Sequence, residues 1–213
     1  MTLKLISFCI TASIGLSVWA IYSDPIINND GVIYIRTAEI LSHLSSTGLK
    51  EAYQDFKWPF YSMLIQGVSV LTALTLKDSA HLINIVAYCV VILLFIGIAR
   101  TLWGRSSRIT VLAALVALAH PAFNDYRSFL IRDPAYLAAF LGAFYFLLLC
   151  RSDSSWRTRL AAIACLLIGT LFRIESFVFL LFSPVLFALA GGRWAQKRQR
   201  LLIISCIGFV SSV

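Results

Sequence analysis

The stretch AHLINIVAYCVVILLFIGIA, residues 80–99, decides the fold class of this chain. It contains no Asp, Glu, Lys or Arg, and isoleucine, valine and leucine make up more than half of it. A helix of about 20 apolar residues crosses the hydrocarbon core of a bilayer, which is about 30 Å thick. We therefore predict a transmembrane helix here.

The composition of the whole chain agrees with this prediction. Hydrophobic residues make up 60% of the 213 residues and charged residues 13%, whereas a soluble domain is about half apolar and a quarter charged. The formal net charge is +8, but the basic residues occupy short loops between apolar runs and form no continuous patch for nucleic acid. The sequence thus indicates an integral membrane protein without a nucleic-acid partner.

The other apolar runs predict the remaining spans. Several are shorter than about 20 residues and need flanking residues to cross the core. Residues 160–190 form one apolar block interrupted by Arg173-Ile174-Glu175; as a single helix it would measure about 46 Å, so the chain is expected to turn back there, at the outer surface. The further runs are 5–22, 60–76, 107–123, 134–150, 160–172, 177–190 and 201–213.

The basic residues decide whether 60–76 crosses the membrane. If it does, 5 basic residues lie inside and 13 outside, against the positive-inside rule. If it lies in the interface, 11 lie inside and 7 outside. We therefore predict an all-α polytopic membrane protein, one transmembrane domain over 1–213 with about seven transmembrane helices and a cytoplasmic N-terminus. Residues 23–80 form a long first outer loop carrying amphipathic interfacial helices.

The sequences of two segments allow more than one interpretation of their structure. Residues 1–22 could serve as a signal peptide, although the length of the run favours a retained anchor; both readings place residue 23 outside. The stretch NNDGVIYIRTAEIL, residues 28–41, has apolar residues at helical spacing but includes Asp30, Arg36 and Glu39. It predicts a surface helix over 28–44, capped by Asn29 or Asp30, ended by a turn at 45–48, and resting on the membrane or the bundle.

This topology collects charged residues of both signs on the outer side. Such a set suits a reaction on a membrane-embedded anion such as a lipid phosphate. Cations hold the phosphate while a carboxylate accepts a proton from an attacking hydroxyl. The residues are Asp30, Lys57, Asp125, Arg127, Arg132, Asp133, Arg173 and Glu175.

Four segments in order carry a resemblance to a known family. They are Asn29-Asp30 at the start of the outer helix, Lys57-Trp58-Pro59 before a short apolar helix, Arg132-Asp133-Pro134 in the second outer loop, and Phe172-Arg173-Ile174-Glu175. This order resembles the C-type membrane glycosyltransferases, most closely the protein O-mannosyltransferase and aminoarabinose transferase type. The resemblance implies an enzyme of the bacterial inner membrane that transfers a sugar from a polyprenyl-phosphate carrier to a lipid, glycan or protein acceptor on the periplasmic face.

The resemblance also implies roles for individual residues. Asp30 would be the catalytic base or a carboxylate that organises the site, and Asp133 a second catalytic acid. Lys57 and Arg173 would bind the carrier phosphate. Apart from the resemblance, Tyr61 is an interfacial ring that could stack on a sugar, and with Glu175 it completes the predicted substrate-binding set. The sequence leaves open whether a divalent cation takes part.

The chain departs from the family at several points. Gly31 stands where members commonly have a second acid, and Trp58 interrupts the usual Lys-Pro-Pro. The chain ends inside an apolar run, so we expect it to be the front part of a longer protein.

Each of these residues also has a possible role that is only structural. Asp30 could be only a helix cap, Asp133 a helix-start acid, Lys57 a snorkelling side chain, and Arg173 with Glu175 a turn ion pair. Rival functions are a transporter or lipid-carrier component, which the absence of ionisable residues in the middle of a span disfavours, and a catalytically inactive assembly subunit. Tyr34 and Tyr61 are expected at the membrane interface, and Asp125, Arg127 and Arg132 as solvated loop charges.

Overall fold

The computed structural model describes residues 3–42, 46–104, 106–150 and 155–182. The described residues form helices and connecting loops without a β-strand, which confirms the all-α prediction. The predicted span at 201–213 and the end of the one at 177–190 lie outside them. The helices are α1 Leu3–Ser23, α2 Asn29–Ser42, α3 Ser46–Asp55, α4 Phe60–Thr72, α5 Leu76–Trp103, α6 Ser107–Ala119, α7 Pro121–Asp125, α8 Asp133–Leu149 and α9 Trp156–Phe172.

Helix α5 contains the opening stretch and extends it to 28 residues. The side chain of Thr75 caps its start by accepting a hydrogen bond of 3.1 Å from the Asp78 amide, and the Asp78 carboxylate lies at the positive end of the helix dipole. By length and composition, α1 and α5 are the two described helices able to cross a membrane, while α4, α6 and α8 are shorter apolar helices.

Contacts between helices fix their directions. Gly142 of α8 faces Cys165 of α9, and Gly169 of α9 faces Ala139 of α8, so these two helices are antiparallel. Leu94 approaches Gly142, and Tyr145 approaches Gly97, so α5 runs parallel to α8. Near the start of α1, Leu5 and Cys9 share a core with the second half of α5 and with α6.

The bundle therefore has two distinct ends. We call the end where α5 and α8 begin and α1 and α9 finish the site end. The opposite end, where α1, α6 and α9 begin, is the far end.

Helix α6 buries its small residues and exposes large apolar ones. Its Ala113, Ala114 and Ala117 are buried, whereas Leu112 and Leu115 are exposed. Helices in a bilayer pack through small residues and turn large apolar side chains toward lipid. Together with the length of α1 and α5, this pattern favours association with a membrane.

The segment between α1 and α5 lies against the site end. Tyr34 and Ala38 of α2 share a core cluster with Ile65 of α4 and Ala80 of α5, so α2 rests its apolar face on the bundle. The predicted turn at 45–48 is wrong for Ser46 to Gly48, which belong to α3; Ser45 lies outside the described residues. Burial of Ala52, which is 0% exposed, stabilises helix where local turn preferences favour a loop.

Two interruptions divide the later apolar runs. Pro121 separates α6 from α7, because the residue before a proline avoids helical geometry and His120 is extended, with φ −62° and ψ 119°. Helix α9 ends at Phe172, Arg173 is extended, and a turn at 174–175 precedes renewed helix. The predicted break in the 160–190 block is confirmed. Phe179 beyond the turn stacks edge-on against Phe140 of α8.

Candidate functional site

An ion cluster joins the start of α8 to the end of α9. Arg173 donates from Nη1 to Oδ1 of Asp133 at 2.5 Å, across 40 residues of sequence. Its Nη2 lies 3.6 Å from Oε1 of Glu175, and its guanidinium carbon lies 5.6 Å from the centre of the Tyr136 ring. The structure thus brings together three residues that the sequence singles out, and two carboxylates share one guanidinium.

Tyr34 of α2 packs among aromatic rings, and charged residues on other elements act on its hydroxyl. Its ring packs edge-on against Phe56 and Tyr61, with centroid distances of 5.5 and 5.0 Å. Burial raises the pKa of the Tyr34 hydroxyl; Arg132 opposes this effect, whereas the nearby Asp30 and Asp133 add to it. The hydroxyl therefore stays protonated near neutral pH and can donate a hydrogen bond. The sequence places Tyr34 at the membrane interface, but it is only 5% exposed.

Asp30 stands exposed in the first turn of α2. A hydrogen bond of 2.9 Å from the Leu130 amide to Oδ1 of Asn28 ties the start of this helix to the segment before α8. The negative charges of both Asp30 and Asp133 raise the pKa of the Tyr34 hydroxyl. Their catalytic roles stay predictions.

Gly31, the residue after Asp30, lies where there is no space for a side chain. A Cβ placed on it would lie 2.8 Å from both Oδ1 of Asn28 and Cβ of Leu130. A larger residue at this position would need the α2 start and the Leu130 segment to move apart. Asp133 on α8 stays the predicted second acid.

Lys57 precedes α4 and is exposed. Its neighbour Trp58 donates from Nε1 to the Leu171 carbonyl at 2.7 Å, and Phe60 packs edge-on against Phe172 with ring centroids 5.1 Å apart. These contacts hold the chain around Lys57 beside the last turn of α9, directly before Arg173.

Tyr61, which the sequence places at the membrane interface and in the substrate-binding set, is buried. It is 1% exposed and donates to Oδ1 of Asn84 at 2.9 Å. Asn84 in turn donates to the Phe129 carbonyl at 3.0 Å. The geometry favours a supporting role for Tyr61 beneath Tyr34 over direct contact with a substrate.

The exposure of Arg127 differs most from what the sequence predicts. Expected as a solvated loop charge, Arg127 is 1% exposed. Its Nη1 donates to the Ser17 hydroxyl at 2.7 Å and to the Ser13 carbonyl at 3.1 Å, and its Nε donates to Oδ1 of Asn124 at 2.9 Å. The guanidinium carbon lies 4.6 Å from the centre of the Tyr88 ring. Arg127 therefore fastens the middle of α1 to the segment before α8.

The sequence contains one signal for the contact between Arg127 and α1. Ser13 and Ser17 are four residues apart, so they share one face of α1 and offer paired acceptors to a single donor. Asp125, in contrast, is exposed as expected. Within the described ranges, no group of three or more His, Cys, Asp or Glu side chains is arranged to hold a metal ion.

No protein-family model, no curated protein and no solved structure shows significant similarity to this chain. The class of this protein is therefore argued from its fold and its candidate site alone. The part of the chain that the structure describes is all-helical, with two helices long and apolar enough to cross a membrane and an acid–arginine cluster at one end of the bundle.

Proposed function

We propose that this chain is the transmembrane part of a glycosyltransferase, which moves a sugar from a polyprenyl-phosphate carrier to an acceptor at the outer face of a membrane. The observation that carries the proposal is the cluster of Asp133, Arg173 and Glu175, at the end of the bundle where the Asn28–Leu130 hydrogen bond ties the start of the helix that bears Asp30 to the segment before α8. Carboxylates for proton transfer and cations for a phosphate thus meet at one end of an apolar bundle.

The distribution of charge supports a crossing topology of seven spans with the site end outside. In the part of the chain that the structure describes, the far end carries basic residues and no carboxylate. Cytoplasmic loops carry an excess of Lys and Arg, which would place the far end in the cytoplasm and the site end on the periplasmic side. The far-end residues are Lys4, Arg100, Arg108, Arg157 and Arg159.

The proposed reaction is an inverting transfer. Asp30 takes the proton from the acceptor hydroxyl as its oxygen attacks the anomeric carbon. The bond from that carbon to the phosphate oxygen breaks, and the phosphate leaves with the electron pair. Arg173 and Lys57 supply positive charge where the leaving phosphate gains negative charge. Asp133 and Glu175 orient the Arg173 guanidinium, and Asp30 returns its proton to water.

Removal of the Arg173 guanidinium tests this proposal. In the full-length protein, Arg173→Ala is expected to lower kcat/KM for transfer from a polyprenyl-phosphate sugar by about tenfold or more, because a charge-assisted contact is lost. Arg108→Ala is the matched control, since Arg108 is exposed at the far end; Arg127 is unsuitable because its burial makes its removal a stability defect. Equal effects of the two variants would contradict the assignment of Arg173.

Transport is the alternative function to glycosyl transfer. The sequence disfavours it because no ionisable residue lies in the middle of a predicted span, but Arg127 reaches Ser13 at the middle of α1. The same assay separates the two functions. Movement of the lipid-linked sugar across the membrane without transfer to any acceptor would contradict the glycosyltransferase proposal.

A further inference from the structure

The two arginines nearest Tyr34 differ in their ion pairs. Arg173 is held by Asp133 and Glu175. Arg132 forms neither an ion pair nor a side-chain hydrogen bond with any residue in the described ranges, and its guanidinium carbon lies 5.7 Å from the centre of the Phe56 ring. It is half-buried, so its charge is only partly screened by water.

This difference decides which arginine is open to an anion. Around Arg173, two negative charges face one positive charge, so a phosphate approaching it would have to displace a carboxylate already in contact. The guanidinium of Arg132 has five N–H donors and keeps them free of carboxylates. An entering anion therefore gains more from contact with Arg132.

The position of Arg132 also suits a phosphate at the site. The rings of Tyr34 and Phe56 pack at 5.5 Å, and Arg132 lies over that same Phe56 ring. The Tyr34 hydroxyl, which stays protonated because burial raises its pKa, offers a second donor. Arg132 directly precedes Asp133 in the chain, so a phosphate held here would lie next to the ion cluster.

We propose that Arg132 is the primary contact for the phosphate of the bound lipid carrier, and that Arg173, held by Asp133 and Glu175, acts on the phosphate only as it leaves. This inference rests on the proposed function, and it identifies which cation binds the carrier before reaction. Phe56 and the surrounding apolar residues make a lipid-linked phosphate the expected ligand in preference to free phosphate.

Direct binding to the full-length protein in detergent tests the inference. The probes are a short-chain polyprenyl phosphate, the matching polyprenol without phosphate, and inorganic phosphate as a competitor. We expect Arg132→Gln to weaken binding of polyprenyl phosphate about tenfold or more, with binding of the polyprenol unchanged. Arg132→Lys keeps the charge and should restore most of the affinity, which separates loss of charge from loss of folding.

Arg173→Gln and Arg108→Gln complete the comparison. We expect Arg173→Gln to keep carrier affinity within about threefold of wild type while lowering kcat, and Arg108→Gln to change neither. If Arg173→Gln loses binding and Arg132→Gln does not, the inference is wrong and the proposed function survives. If the unaltered protein binds the polyprenol as tightly as its phosphate, both fail. Full competition by equimolar inorganic phosphate would overturn the lipid assignment.

Discussion

Replacement of Arg127 by alanine is expected to lower the free energy of unfolding by about 3–5 kcal/mol. The substitution removes the hydrogen bonds that the buried guanidinium donates, and it leaves a cavity. Arg127 is among the largest fully buried side chains. Without it, the Ser17 hydroxyl loses its 2.7 Å donor, and the face of Tyr88 loses its cation. The contact between the middle of α1 and the segment before α8 would weaken.

Reversible unfolding in bicelles or mixed micelles measures this effect. Arg127→Met retains most of the volume and is expected to fall between wild type and alanine, since packing is kept and hydrogen bonds are lost. Arg108→Ala, on the exposed surface of α6, should change stability by less than about 0.5 kcal/mol. If Arg127→Ala unfolds at the same midpoint as Arg108→Ala, the proposed fastening of α1 is wrong.

Substitution of Asp30 by asparagine is expected to lower transfer from a polyprenyl-phosphate sugar by about 10²–10⁴-fold, the usual contribution of a general base. Asparagine keeps the shape of the side chain and removes its ability to take a proton. Because Asp30 is exposed in the first turn of α2, we expect the thermal stability to change little. Single-turnover transfer with full-length protein is the suitable measurement.

Glu39→Gln is the matched control for Asp30→Asn. Glu39 is a second exposed carboxylate of α2, and it lies more than two helical turns further along the same helix. Unchanged transfer by Asp30→Asn would remove Asp30 from the role of base. Loss of transfer in Asp133→Asn alone would then move that role to Asp133, although breaking its contact with Arg173 requires a parallel check of folding.

Much of the helical framework follows from local rules. The run at 80–99 predicts α5, which the structure extends to Leu76–Trp103. The excessive length of the 160–190 block predicts the break at 173–175 that the structure contains. Both depend on hydropathy and helix rise per residue, which are properties of a continuous stretch of chain.

The side-chain partners of the site could not be predicted in this way. The contact of Asp133 with Arg173 spans 40 residues, and that of Arg127 with Ser13 spans 114. Such pairs depend on the rotation and register of packed helices. Hydropathy does not encode these quantities for single residues. Tyr34 and Tyr61 are buried for the same reason, because α2 and α4 fold onto the bundle and cover residues that local patterning places at an interface.

Cysteine labelling tests most directly whether the site end forms one outer face. In the full-length protein with its native cysteines replaced, single cysteines at Asp30 and Asp125 mark the site end, and those at Arg108 and Arg157 mark the far end. A membrane-impermeant maleimide should label residues 30 and 125 in intact cells or spheroplasts, and residues 108 and 157 only after permeabilisation. Labelling that placed 30 and 125 on opposite sides, or 30 and 108 on the same side, would contradict the account.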